Sequence, residues 1–219
     1  MEVFLSSLHA RVCAQPALQR LAVVSRILLA IGFIPPALVK IQGHRFTSGV
    51  DLADPIVAFF EAMYQTGAYW RFLGWAQLAA GVCLLVPQLM TVGAVMFLPV
   101  IVNIFVITLA LHFTGTPVVV GVMLLADLYL LFWDYDRLKS VISPRADTSA
   151  MRLPAGVPAH WSPLERSGYS VGTAAGLGAF LWTRGLVPHL LIVPCLLAGL
   201  VAACMVLLAW LGALRPRAT

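Results

Sequence analysis

Long apolar runs alternate with short polar stretches along the whole chain. A membrane-spanning helix needs about 20 mostly apolar residues. The pattern predicts such helices over Leu21–Ile41, Arg71–Met90, Thr91–Phe113, Pro117–Trp133 and Leu186–Leu214. Pro35 and Pro36 should kink the first, because proline gives up a helical N–H and its ring crowds the preceding turn. Pro87 should help separate the second from the third. The fourth ends on Trp133, Asp134, Tyr135, Asp136 and Arg137, aromatics followed by charge, as at a membrane interface. Between the first two runs lies a mostly acidic loop, His44–Trp70. Within it, residues 54–63 should form a short amphipathic surface helix, with Asp54 as N-cap and Pro55 at the first helical position. Tyr169–Trp182 is apolar but short and rich in glycine and alanine. We expect it to be interfacial or re-entrant, with a thin extra span as the alternative.

These runs divide the chain into an N-terminal cytoplasmic segment over 1–20, a four-helix membrane bundle over 21–140, a polar linker over 141–168, and a C-terminal part over 169–219. The expected fold class is all-α, a polytopic membrane helix bundle with one further C-terminal transmembrane helix.

Composition supports lipid as the solvent. Of 219 residues, 61% are hydrophobic and 11% charged, against about 45–50% and about 25% in soluble domains. A chain this short cannot hide that much apolar surface against itself. The net charge of +5 would suggest nucleic acid in a soluble protein. Here the basic residues flank apolar runs and read as topology signals and lipid-headgroup contacts, and nucleic acid is not expected as a partner. Arg11, Arg20, Arg137, Lys139, Arg145, Arg152 and Arg166 place the N-terminus and the linker in the cytoplasm, with the first loop outside. Arg215 and Arg217 conflict with a single fifth span. The first twenty residues carry charge and no long apolar core, so an uncleaved signal anchor is expected, in the bacterial cytoplasmic (inner) membrane. Cys13, Cys83, Cys195 and Cys204 form no CxxC pair, and the last three sit inside apolar runs as small hydrophobes.

Polar residues inside apolar runs are the candidate site, because a charge costs roughly 2.5–3.5 kcal/mol at the centre of a spanning helix on insertion scales. Arg26 and Asp127 each lie about 8–9 Å inside the cytoplasmic end of their helices. Equal depth and opposite charge predict an ion pair, with snorkelling of Arg26 as the alternative. Lys40, Arg71 and His112, with Glu61 above, fall near one outer level and suggest a polar mouth. Asn103 lies mid-membrane on the third run, and Gln77 about one-third into the second. Interhelical hydrogen bonding is the simpler use of both. Gly74 and Gly81 share a helix face where a neighbouring backbone can approach closely. The candidate ligand-binding residues are thus Arg26, Lys40, Gln77, Asn103, His112 and Asp127. No catalytic residue is assigned. No metal is expected, and HExxH, P-loop and Rossmann fingerprints are missing from the sequence.

Two segments resemble a known family. Arg26-Ile27-Leu28-Leu29-Ala30-Ile31-Gly32-Phe33, leading to Ala37-Leu38-Val39-Lys40-Ile41, is similar to the opening helix of DoxX-like integral membrane proteins. Gly74-Trp75-Ala76-Gln77-Leu78-Ala79-Ala80-Gly81-Val82-Cys83-Leu84-Leu85 is similar to the family's second helix, where glutamate commonly stands in place of Gln77. The resemblance covers about residues 21–140. It implies a four-helix membrane bundle in a redox-associated system, such as quinone-coupled sulfur oxidation or a membrane complex handling oxidative stress. Quinone is the implied ligand, with a redox partner protein supplying the electron chemistry. A solute or lipid transporter, with a path from Arg26 and Asp127 towards Asn103 and His112, and a structural assembly subunit are the alternatives. A homo-oligomer is compatible with each.

Overall fold

The computed structural model describes His9 and residues 11–46, 51–142 and 161–214. It is all-α, and no strand occurs among the described residues. The chain divides into two compact units, Met1–Gly156 and Val157–Thr219. Four stretches are long and apolar enough to cross a membrane: Pro16–Ile41, Pro87–Ala110, Thr116–Trp133 and His189–Gly212. This is a membrane protein of the polytopic helix-bundle class.

In the first unit, helix α1 runs from Pro16 to Ile41. It starts earlier than the apolar run, because Pro16 supplies the first helical position and neither Gln19 nor Arg20 resists the helix. Pro35 and Pro36 lie inside it without ending it. Helix α2, Pro55–Gln65, has the expected cap: the Asp54 side chain accepts from the Ile56 N–H at 2.8 Å. Helix α3, Ala68–Leu85, stops at Val86, which is extended, as the residue before a proline tends to be. A 3₁₀ turn, Pro87–Leu89, leads into α4, Met90–Ala110. Helix α5, Thr116–Trp133, is followed at once by the short polar α6, Tyr135–Ile142. Residues 143–160 of the expected linker lie outside the described residues, as do 1–8 and 10 of the N-terminal segment.

Helix α1 packs along α3 and against α5, while α4 packs on both α3 and α5. The four helices therefore close into a ring. Gly74 and Gly81 make a close seam between α1 and α3, as their spacing suggested. A Cβ on Gly74 would lie 2.8 Å from the Ala37 carbonyl oxygen, and one on Gly81 2.8 Å from Ile34 Cγ1. In α3 and α4, Gly93 seats against the backbone of Leu84, 2.7 Å from where its Cβ would be. Phe33 and Phe97, with ring centroids 3.9 Å apart, join α1 to α4 across the ring. The faces turned outward carry Val95, Val102 and Val106 on α4 and Val118, Val122 and Leu125 on α5, all exposed. Large apolar side chains on the outward faces are what lipid accepts without cost.

The second unit is a helical hairpin. Helix α7, Pro163–Thr183, is capped by Ser162, whose side chain accepts from the Glu165 N–H. Helix α8, Ile192–Leu214, follows a 3₁₀ turn over His189–Leu191. The sequence suggested an interfacial or re-entrant piece over Tyr169–Trp182. The helix α7 that contains this piece is continuous over 21 residues and packs lengthwise on α8. The glycines that lowered its apolar signal are its packing surface. A Cβ on Gly168 would meet Val206 at 2.8 Å, and one on Gly178 would meet Cys195 Sγ at 2.7 Å.

Candidate functional site

Arg26 enters the bundle from α1 and Asp127 from α5. Arg26 is 7% exposed and Asp127 0%. Two contacts bracket them along the same interface. The Tyr129 hydroxyl donates to the Leu18 carbonyl at 2.7 Å, and Gly32 faces Met123, whose Cε would lie 3.0 Å from a Cβ there. Arg26 falls between Leu18 and Gly32, and Asp127 between Met123 and Tyr129. Depth is thus shared, as the sequence implied.

The expected ion pair is not formed. Both carboxylate oxygens of Asp127, and Nε and Nη1 of Arg26, are sealed from solvent without a hydrogen-bond partner. Sequence reading fixes depth along a helix but not which way two helices turn about their axes, and pairing needs both. Four polar atoms remain unsatisfied in an environment where each such group is expensive. A ligand that accepts from the guanidinium and donates to the carboxylate would satisfy both.

Gln77 is also buried, with Oε1 unpartnered. It belongs to another layer. Its neighbours Gly74 and Gly81 sit against Ala37–Ile41 and Ala30–Ile34, so Gln77 faces the part of α1 beyond Phe33 rather than Arg26.

Lys40 is buried at the end of α1. Its Nζ lies 4.8 Å from the Phe46 ring centroid and 5.3 Å from that of Trp70, and it donates to the Pro36 carbonyl at 3.4 Å. Trp70 is held by its own N–H, which donates to the His44 carbonyl at 3.1 Å. The ammonium therefore sits in an aromatic corner. Glu61 is engaged elsewhere, since Arg45 donates to both of its oxygens at 2.8 and 3.0 Å. That pairing raises the Arg45 pKa and holds the Glu61 carboxyl below the usual carboxylate range.

Asn103 and His112 are exposed, outside the interior that holds Arg26 and Asp127. A common path through these four residues is therefore not built. His112 instead ends α4. Its φ is 52°, its N–H donates to the Leu109 carbonyl, and the Phe113 N–H donates to that of Thr108. This is a Schellman cap with histidine in the left-handed position usually taken by glycine.

Sequence reasoning missed a polar cluster below α5. His9 donates through Nε2 to the Trp133 carbonyl at 2.8 Å, and its Nδ1 lies 3.5 Å from Asp136. Thr91 donates to Asp134, and Arg137 donates to Thr91 at 3.3 Å. Burial pushes the Asp134 carboxyl above its ordinary range, opposed by the Thr91 hydrogen bond and by Arg137. The charged run over Asp134–Arg137 was the only signal, and it read as an interface marker. In the second unit, Glu165 is 2% exposed and accepts from the Trp210 indole N–H at 3.0 Å. The sequence reading places it in the polar linker over 141–168. Among the described residues no group of three or more His, Cys, Asp or Glu side chains is arranged to hold a metal ion.

Fold and site together define an all-α membrane protein with two opposite, unsatisfied charges buried in a four-helix bundle. No family model, no curated protein and no solved structure matches the chain.

Proposed function

We propose that the first unit is a DoxX-like four-helix membrane bundle that binds a quinone head group between its helices at Arg26 and Asp127. The observation that carries this reading is the set of sealed, unpartnered atoms on those two side chains. Arg26 has N–H donors for a carbonyl oxygen, and Asp127 has acceptors for a hydroxyl. A quinone presents the first function and its quinol the second, and both arrive through lipid. The protein then serves as the membrane subunit of a redox-associated system, and electrons pass to or from a partner protein. The protein's own residues bind and orient the head group and hold its polar atoms away from water.

On this reading α3 and α7 also cross the membrane, each packed along a neighbour long enough to do so. With α1, α4, α5 and α8 that makes an even number of crossings. The N-terminus, the linker and Arg215 with Arg217 then share the cytoplasmic side of a bacterial inner membrane, in keeping with the distribution of basic residues.

The test is a titration of the protein in nanodiscs with a short-chain quinone, followed by quenching of tryptophan fluorescence. Arg26→Gln should weaken binding of the quinone, and Asp127→Asn binding of its quinol in a parallel titration, each roughly 10- to 100-fold, as expected for loss of a charge-assisted hydrogen bond. Unchanged affinity in both variants would remove the basis for this site.

A further inference from the structure

Helix α4 presents a polar group to lipid. Asn103 is exposed, and its side chain makes no hydrogen bond among the described residues. It lies about 20 Å from the start of the helix at Met90 and about 10 Å from its end, well inside a hydrocarbon layer about 30 Å thick. One and two helical turns earlier on the same outward stripe stand Pro99 and Val95, also exposed. Pro99 lies inside the helix and has no N–H to give the Val95 carbonyl. Both an amide side chain and a backbone carbonyl are therefore left towards lipid, where water is not available to satisfy them.

We propose that this stripe is the interface for a second copy of the chain, with Asn103 meeting Asn103 of the second copy across a two-fold axis normal to the membrane. Copies inserted in one membrane share an orientation, so α4 meets its copy in parallel and each residue near the axis faces itself. A carboxamide suits that geometry, because it carries both donor and acceptor. Two such groups exchange two N–H···O=C bonds, whereas two like charges would repel. Met96 and Val106, exposed on either side of Asn103, supply apolar packing around the pair.

The test counts photobleaching steps of the labelled full chain in liposomes over a range of protein-to-lipid ratios. The wild type and Asn103→Gln should be dimeric. Asn103→Val should dissociate at roughly 3- to 30-fold higher membrane density, the range expected from interhelical hydrogen bonds. Val106→Trp, which overfills the same stripe while keeping Asn103, should also weaken the dimer. Val118→Trp, on the exposed face of α5, should not. A wild type that is monomeric at every density, or a dimer that survives both Asn103→Val and Val106→Trp, would overturn the proposal.

Discussion

Arg26 and Asp127 carry opposite charges into one section of the α1–α5 interface and share no hydrogen bond. Buried charges of this kind usually cost stability, and well-packed apolar replacements of buried ion pairs are often neutral or stabilising by about 1–4 kcal/mol. The double variant Arg26→Met, Asp127→Leu should therefore raise the melting temperature of the ligand-free protein while abolishing quinone binding. Thermal unfolding in detergent, run beside the quinone titration, separates the cases. A fall in melting temperature would make the two charges structural and would favour an assembly role.

The α1–α3 seam depends on missing side chains. A Cβ at Gly74 would lie 2.8 Å from the Ala37 carbonyl oxygen, which belongs to the backbone of a packed helix and cannot simply swing away. Gly74→Ala should destabilise the bundle by about 1–3 kcal/mol, the usual cost of overpacking. At Gly212 nothing lies within 4 Å of the added atom. Gly212→Ala should be neutral or stabilising by about 0.5–1 kcal/mol through helix propensity alone. Denaturation of both variants in the same detergent gives the comparison, and equal effects would contradict the packing argument.

Much of the bundle could be read from the chain because lipid enforces a simple rule along each helix. Apolar runs of spanning length located α1, α4, α5 and α8, and Asp54 with Pro55 located the start of α2. Rotation about the helix axis was not legible. Gln77 and Asn103 look alike as single amides in apolar runs, yet one faces in and the other out. For the same reason Arg26 and Asp127 had the right depth and the wrong pairing. Helix α7 was obscured because its glycines, which serve close packing against α8, also lower its hydropathy. His9 and Glu165 were invisible as buried groups, since their partners, Trp133 and Trp210, lie 124 and 45 residues away.

His112 holds a left-handed backbone conformation, φ 52°, that costs an L-residue roughly 1–2 kcal/mol. Histidine tolerates it better than most residues, and glycine tolerates it best. If the side chain serves only to end α4, His112→Gly should raise the melting temperature and leave quinone affinity unchanged. His112→Val should lower it, because a β-branched residue is a poor fit at positive φ. Loss of quinone affinity in the glycine variant would instead assign the imidazole a part in binding.

The loop helix α2 is tied down by the Arg45–Glu61 pair, and that tie should depend on pH. The Arg45 hydrogen bonds hold the Glu61 carboxyl below the ordinary value of 4.5, so the folded state binds the proton less readily than the unfolded state. Between the depressed folded pKa and the ordinary one, the unfolded chain carries more protons, and stability falls as pH falls. The contribution is fully present above the ordinary carboxylate range and is lost as pH drops through the folded pKa. The pair is solvent-exposed, so its effect is local. Hydrogen exchange of the α2 amides should be slower at pH 6 than intrinsic rates predict, and that protection should decline on acidification. In Glu61→Gln the acid-dependent part of the decline should disappear, because the neutral amide no longer titrates. An identical pH profile in the variant and the wild type would mean that another contact anchors α2, with the aromatic group of Phe46, Phe60 and Phe113 as the next place to look.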